Sequence, residues 1–278
     1  MKRKAFRPKK RLGQNFLYDP AIAKRIVDAA DLTPGRPVIE LGSGKGILTK
    51  PLAERGARVI AIEVDEDLYA ELDAYFKSAV APAVELLNAD FTTLSITALL
   101  AARGLDKCIL FGNIPYYLTR DVLFSFLVDE YEMIDGAYIM VQREVGERIV
   151  SEPGSRVYGI TSVILQTLYE VRSLFRVAPG SFFPRPKVGS IVLEFEARET
   201  VPIEPGELNR FSSVVKSLFQ QRRKTLHKTI KTLYSLSEAE LTDVGKAADV
   251  DLRRRAEELS KEQFLRLSRA ISEVTAVG

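Results

Sequence analysis

Pro37-Val-Ile-Glu-Leu-Gly-Ser-Gly-Lys-Gly46 sets the reading of the whole chain. Its first half, Pro37–Leu41, is a short apolar run of the kind that forms a strand buried on both faces. Its second half places three glycines in five residues, just before a helical stretch that opens near Leu48. Glycine lets the backbone turn sharply and approach a ligand with no Cβ in the way. Strand, glycine turn and helix together make the opening unit of a nucleotide-binding sheet.

Outward from this unit, short β-rich runs alternate with helical ones. The candidate strands are Pro37–Leu41, Arg58–Val64, Val84–Asn88, Cys108–Gly112, Ala137–Gln142, Val171–Arg176 and Ser190–Phe195. The first four are nearly continuous apolar runs, as parallel strands between two helical layers must be. Helices are expected around Leu48–Arg55, Glu66–Phe76, Ile96–Arg103, Asp121–Val128 and Thr161–Glu170. The pattern predicts an α/β fold with a doubly wound sheet whose ligand binds at the carboxyl ends of the strands. The last two strands are close enough to form an antiparallel pair at one end of that sheet. Ahead of the glycine turn, Asp19-Pro20 is a helix start, with a side-chain cap followed by proline at the first helical position.

Thr200-Val-Pro-Ile-Glu-Pro-Gly206 reads as a linker, and beyond it the β character vanishes. Phe211, Val214, Val215, Leu218 and Phe219 mark one amphipathic helix. Ser237-Glu-Ala-Glu240 and Ser260-Lys-Glu-Gln263 match the capping-box pattern that opens two more. The expected division is a ligand-binding catalytic domain over residues 1–199 and a small α-helical domain over 200–278.

Composition sets bounds rather than a function. With 46% hydrophobic and 28% charged residues the 278-residue chain is an ordinary globular protein. No apolar run reaches the roughly 18 residues of a membrane span. The basic segment Met1–Arg11 lacks the apolar stretch of a signal peptide, so a cytoplasmic setting is expected. A lone cysteine, Cys108, excludes an intramolecular disulfide, and a lone histidine, His227, leaves no zinc-type cluster, so no metal is expected. Net charge is only +3, but the basic residues are bunched: Lys2 to Arg11, Arg222-Arg-Lys224 with Lys228 and Lys231, and Arg253-Arg-Arg255. Such clusters suit phosphate contacts, and Arg222, Arg223 and Lys224 are the candidate RNA contacts.

The glycine turn alone is shared by many nucleotide folds. A dinucleotide fingerprint requires Gly or Ala at position 47, which here is Ile47, with the third glycine one residue early at Gly46. Three acids sharpen the reading. Glu40 precedes Gly42 and Gly44, where a carboxylate favours a cationic ligand such as S-adenosylmethionine over a pyrophosphate. Glu63 closes the second candidate strand, 21 residues after Gly42, where it can accept hydrogen bonds from both ribose hydroxyls. Asp90 follows the third and can accept from an adenine amino group. Any one of these would be an ordinary cap. At three successive strand ends they act as one constellation.

Asn113-Ile-Pro-Tyr116 ends the fourth strand. An adenine N6 is a poor nucleophile because its lone pair is delocalised into the ring. Two acceptors, the Asn113 side-chain oxygen and the Ile114 carbonyl, can hold its two N–H groups and favour a pyramidal nitrogen. Pro115 restricts Ile114 to an extended conformation that aims its carbonyl outward. Tyr116 offers a face for a base that has left its stack. Transfer would be a direct displacement that needs positioning and no protein nucleophile.

On these motifs the chain resembles the KsgA (RsmA) family of small-subunit ribosomal RNA adenine dimethyltransferases. Gly13-Gln-Asn15-Phe-Leu17, the Glu40–Gly46 turn, Asn113–Tyr116 and Phe182-Phe-Pro-Arg-Pro-Lys-Val188 stand in that family's order across essentially the whole length. The resemblance implies a seven-stranded class I methyltransferase (Rossmann-like) sheet with a small C-terminal helical domain. It implies S-adenosyl-L-methionine bound by Gln14, Asn15, Leu17, Glu40, Gly42, Gly44, Glu63, Asp90 and Asn113. It further implies that Phe182 stacks on the target base opposite Tyr116; from the residues alone, Phe182 and Phe183 are equally at home in a core. The implied substrate is a pair of adjacent adenosines near the 3′ end of 16S ribosomal RNA in a pre-30S particle, and nothing demands more than a monomer. Three rivals remain at this point: an Erm-type large-subunit methyltransferase, disfavoured by Phe219-Gln-Gln-Arg-Arg-Lys-Thr-Leu226; a Rossmann oxidoreductase, disfavoured by Ile47; and a non-catalytic RNA-binding relative, disfavoured by intact Asn113 and Tyr116.

Overall fold

The apolar runs that alternate with amphipathic stretches can bury themselves only by stacking side by side under two helical layers. The computed structural model, which describes residues 15–79, 83–204 and 206–277, shows that arrangement. In chain order its first elements are β1 (Phe16–Leu17), α1 (Pro20–Asp28), β2 (Pro37–Leu41), α2 (Thr49–Glu54), β3 (Arg58–Glu63), α3 (Glu66–Ser78) and β4 (Val84–Asn88). There follow α4 (Ile96–Ala101), β5 (Cys108–Asn113), α5 (Thr119–Ser125), β6 (Ile134–Gln142), α6 (Arg143–Ile149), α7 (Ile160–Leu168), β7 (Tyr169–Val177), β8 (Phe182–Phe183) and β9 (Ser190–Ala197). The tail contributes α8 (Glu207–Gln220), α9 (Leu226–Tyr234), α10 (Glu238–Ala248) and α11 (Lys261–Val277).

Seven strands form one sheet in the order β4-β3-β2-β5-β6-β9-β7. The pairs β2–β3, β3–β4, β2–β5 and β5–β6 are parallel, and β9 runs antiparallel to β6. All seven candidate strands are present, with ends that differ by a few residues. From β2 the chain winds outward through β3 to β4, then returns to place β5 on the other flank of β2. Such a reversal opens a crevice at the carboxyl ends of β2 and β5.

Local signals hold where they were read. The Asp19 side chain accepts from the backbone N–H groups of Ala21 and Ile22 and caps α1. Ser237 and Glu240 cap α10 reciprocally, and Ser260 and Gln263 do the same for α11. Gly206 takes a left-handed φ of 81° directly ahead of α8. Among the described residues, no helix is long and apolar enough to cross a membrane.

The chain packs as two compact units. One holds the described residues up to Gly146 with Arg172–Ala197; the other holds Glu147–Val171 with the described residues from Arg198 onward. One junction between the units falls at 197/198, and Glu147–Val171 packs with the tail. The reason lies in α7. Val163, Ile164, Leu165 and Leu168 are buried on it together with Ser162 and Thr167, and a helix covered on nearly every side needs neighbouring helices. It finds them in α8 and α11. Sequence periodicity also missed β1 and β8, which pair antiparallel with Phe16 opposite Phe183 and Leu17 opposite Phe182. Two residues are too few to show a period.

Candidate active site

Because β2 and β5 are parallel neighbours, the Gly42–Gly46 turn and the Asn113–Tyr116 segment leave the sheet side by side. Between them lies a cleft of about 1140 Å³, open solvent at its mouth included. Asn15, Leu17, Glu40, Gly42, Gly44, Glu63, Asp90, Asn113, Ile114, Pro115, Tyr116 and Phe182 all line it. Thus twelve residues singled out from sequence meet at one place. Gln14 lies outside the described residues.

The turn is shaped by its glycines. Gly42, Gly44 and Gly46 have φ of 74°, 56° and 74°, a region other residues rarely adopt. A Cβ on Gly46 would sit 2.4 Å from Leu72 Cδ1, and one on Gly44 would sit 3.2 Å from the Phe16 ring. The turn is fastened to β3, because the Gly42 and Ser43 N–H groups both donate to the Ile62 carbonyl, at 2.9 and 3.0 Å.

Glu63 adds a second fastening. Gly44 N donates to its Oε2 at 2.7 Å and Asp65 N to its Oε1 at 2.8 Å. Glu63 also lines the cleft, so it can both brace the turn and accept from a ligand. Asp90 caps the turn that follows β4, its Oδ1 accepting from Thr92 N at 2.9 Å and from the Thr92 hydroxyl at 2.7 Å. Its Oδ2 accepts nothing among the described residues, so the cap leaves that oxygen available to a ligand. Ser43, not picked out from sequence, also lines the cleft; it is buried, and its hydroxyl has no hydrogen-bond partner among the described residues. A buried hydroxyl left without a partner is costly, and a ligand in the cleft would relieve it.

On the opposite wall, Asn113 Nδ2 donates to the Asn15 backbone carbonyl at 3.0 Å. That bond engages the amide nitrogen and leaves Oδ1 as an acceptor on a residue that lines the cleft. Ile114 is anchored from both ends, its N–H donating to the Met140 carbonyl at 3.3 Å and its side chain fully buried. It packs over Gly112, where a Cβ would come within 2.5 Å of Ile114 Cδ1. The Ile114 carbonyl receives no backbone N–H among the described residues. The Tyr116 hydroxyl lies 3.0 Å from the buried Ser190 hydroxyl, which holds the ring at its far end. Phe182 is on the cleft wall and Phe183 is not.

The family model for ribosomal RNA adenine dimethylase matches residues 5–273. The chain belongs to this family. The Ribosomal RNA small subunit methyltransferase A of Geobacter metallireducens is 38% identical over 272 residues, 98% of this chain and 98% of its own. The protein of the same name from Thermotoga neapolitana is 41% identical over 268 residues, 96% of this chain and 93% of its own. Among solved structures, the 23S rRNA methyltransferase ErmE superposes with a TM-score of 0.73 at 27% identity, covering 93% of this chain and all of its own. A dimethyladenosine transferase from Plasmodium falciparum gives 0.80 at 22% identity over 93% of this chain and 98% of its own, which shows a shared fold. As a family member the chain is an enzyme, a ribosomal RNA adenine dimethylase that takes its methyl groups from S-adenosylmethionine.

The dimethylase carries an unusual acid at the base of its cleft. Glu40 is 1% exposed and accepts from the Thr49 hydroxyl at 2.6 Å. Burial, reinforced by the neighbouring Glu63 charge and partly offset by that hydroxyl, pushes its carboxyl up to about 8. The folded state therefore holds a proton that the unfolded chain has released above pH 4.5, the group's ordinary value. By linkage, Glu40 costs no stability below that pH, and a growing amount as pH rises to about 8. In cofactor-free protein, Glu40→Gln is expected to gain stability relative to the native chain across this window, because glutamine keeps an acceptor for Thr49 and cannot ionise. Denaturant unfolding at several pH values checks it; two parallel stability curves would refute it.

The basic trio of the dimethylase lies in the helical unit, in the turn between α8 and α9. Its members differ. The Arg222 guanidinium pairs with Glu257 at 3.0 Å and donates to the Arg156 carbonyl at 2.8 Å, so it braces its own unit. Arg223 and Lys224 are exposed. In the third cluster Arg253 pairs with Asp251, and Arg254 donates to the Glu258 carbonyl. The N-terminal cluster, Lys2 to Arg11, falls outside the described residues.

Proposed function

We propose that this dimethylase transfers methyl groups to N6 of two adjacent adenosines near the 3′ end of small-subunit ribosomal RNA, four transfers in all. Its substrate in this reading is a pre-30S particle, and it acts as a monomer, with residues 1–199 catalytic and residues 200–278 meeting the RNA. The observation that carries the chemistry is the Asn113 amide, on the cleft lining and tied by its nitrogen to Asn15, which leaves its oxygen to accept.

The cleft fits S-adenosylmethionine. The Glu63 carboxylate would favour a cationic ligand over a pyrophosphate, which also argues against a dinucleotide oxidoreductase, and a cation bound beside Glu40 would favour release of its proton. Glu63 would take the ribose hydroxyls, Asp90 Oδ2 the adenine amino group, and the Gly42–Gly44 backbone would lie against the ligand. Asn15, Leu17 and the orphan Ser43 hydroxyl complete the surround. When bound, the cofactor supplies an electrophilic methyl group on a positively charged sulfur.

The protein's own part is to hold and orient. Tyr116, fixed by Ser190, and Phe182 on the facing wall would enclose an adenine that has left its stack. Asn113 Oδ1 and the Ile114 carbonyl would accept from the two N6 hydrogens and turn the nitrogen lone pair toward the methyl carbon. Once methylated, the nitrogen would give up one proton to water at the open mouth of the cleft. After one transfer N6 keeps a single N–H, so one of the two acceptors loses its partner, and either the loop tolerates that or the base shifts within the enclosure.

The small-subunit target is supported by relatives at 38–41% identity whose names specify that subunit, against 27% for ErmE. Purified protein offered small-subunit precursor particles and free large-subunit RNA separates the two readings. N6,N6-dimethyladenosine detected by mass spectrometry in the small-subunit RNA alone is expected; methylation of the large-subunit RNA alone would transfer the assignment to the Erm type. In the same assay, Arg223→Glu with Lys224→Glu should weaken RNA binding and flatten its salt dependence.

A further inference from the structure

Phe182 and Phe183 are consecutive residues of an extended strand, so their side chains leave it on opposite faces. Phe182, 3% exposed, faces the catalytic cleft; Phe183, 57% exposed, lines a second groove. Nothing in the chemistry above uses Phe183. Its cross-strand partner in the β1–β8 pair is Phe16, which sets two aromatic rings on one small platform. Tyr18, 59% exposed with its hydroxyl donated to the Gly180 carbonyl, adds a third ring to the same groove.

The groove runs into the cleft, since Phe16, Leu17, Lys45 and Ile47 line both. Its rim carries Lys24, Lys45, Lys50 and Arg55 against Asp28 and Glu54, an excess of two positive charges. Asp28 is already matched, by Lys24 at 2.6 Å and by Arg55. Aromatic faces beside positive charge are the two things a single-stranded nucleic acid binds: bases stack, and phosphates follow the lysines. A peptide or lipid partner would explain the rings but not their continuity with an RNA-modifying cleft.

We propose that Phe183 and the groove around it hold the nucleotide next to the adenosine being methylated, its base stacked on the ring and its phosphates beside Lys45 and Lys50. The proposal rests on the RNA-methylating reading above and adds a second base site to it. Two adjacent phenylalanines on opposite faces of one strand would then receive two adjacent nucleotides.

The chain contains no tryptophan, so Phe183→Trp introduces a unique fluorophore at the site. In the full-length protein its indole should be open to acrylamide. A short single-stranded RNA with two adjacent adenosines should quench it, saturating together with binding followed by anisotropy. Phe183→Ala, a change at an exposed position, should raise KM for RNA by about ten-fold while kcat and cofactor affinity stay within about two-fold. An indole already shielded in the free protein would mean that another part of the chain fills the groove, and would overturn the proposal. RNA binding without quenching, or an unchanged KM for Phe183→Ala, would overturn it as well. Failure of the unaltered protein to methylate ribosomal RNA, with quenching intact, would instead remove the functional reading and leave the groove as an RNA site.

Discussion

Asn113→Ala is expected to lower the single-turnover rate of methyl transfer by about 10²–10⁴-fold, with folding intact and cofactor affinity only modestly weaker. The size follows from what is lost. One of the two acceptors for the N6 hydrogens disappears, and with it the orientation of the nucleophile, an effect comparable to removing a preorganised donor from an oxyanion site. The fold should hold because Asn113 is the last residue of β5 and only half-buried, while the pairing of β5 with β2 and β6 runs through backbone atoms. Cofactor affinity should fall a little, since the tether to Asn15 goes as well. Quenched-flow transfer to a small-subunit precursor measures the rate, and turnover near that of the native chain would refute the role assigned to Asn113.

The second large effect belongs to Glu63. Glu63→Gln should weaken S-adenosylmethionine binding by about 10²-fold or more while leaving kcat at saturating cofactor within a few-fold. Two losses combine. An amide presents one acceptor oxygen where the carboxylate presents two, so either the Gly44 or the Asp65 N–H faces an NH₂ group inside a buried site. The charge that would strengthen two ribose hydroxyl contacts is also gone, and hydrogen bonds to a charged group contribute about 1.5–3 kcal/mol each. Calorimetric titration with the cofactor tests it. A Kd within about three-fold of the native value would show that Glu63 only braces the turn. Glu63 sits under opposing influences: burial raises its carboxyl above the usual range, and the Asp65 and Gly44 N–H groups pull it back.

The two variants probe different halves of one arrangement. Asn113 acts on the nucleophile and should appear in the rate; Glu63 acts on the methyl donor and should appear in its affinity. A result with those readouts exchanged would mean that the two walls of the cleft had been assigned to the wrong ligands.

The amino-acid sequence by itself determined the sheet, the glycine turn, the acids at successive strand ends and the helix caps. Each of these is written in a few neighbouring residues: an apolar run, a demand for positive φ, a side chain placed to reach a backbone N–H two or three positions on. The doubly wound arrangement was legible as well, because a chain of alternating strands and helices has few ways to wind. Only the tertiary structure decided which roles those residues could play. It joined α7 to the helical tail, engaged Arg222 with Glu257, and sent Phe182 and Phe183 to different sides through a strand pair two residues long. It also tied Asn113 to the carbonyl of Asn15, 98 residues away. Contacts of that kind leave no local pattern, because the partner is set by how the whole sheet closes and not by anything within reach along the chain.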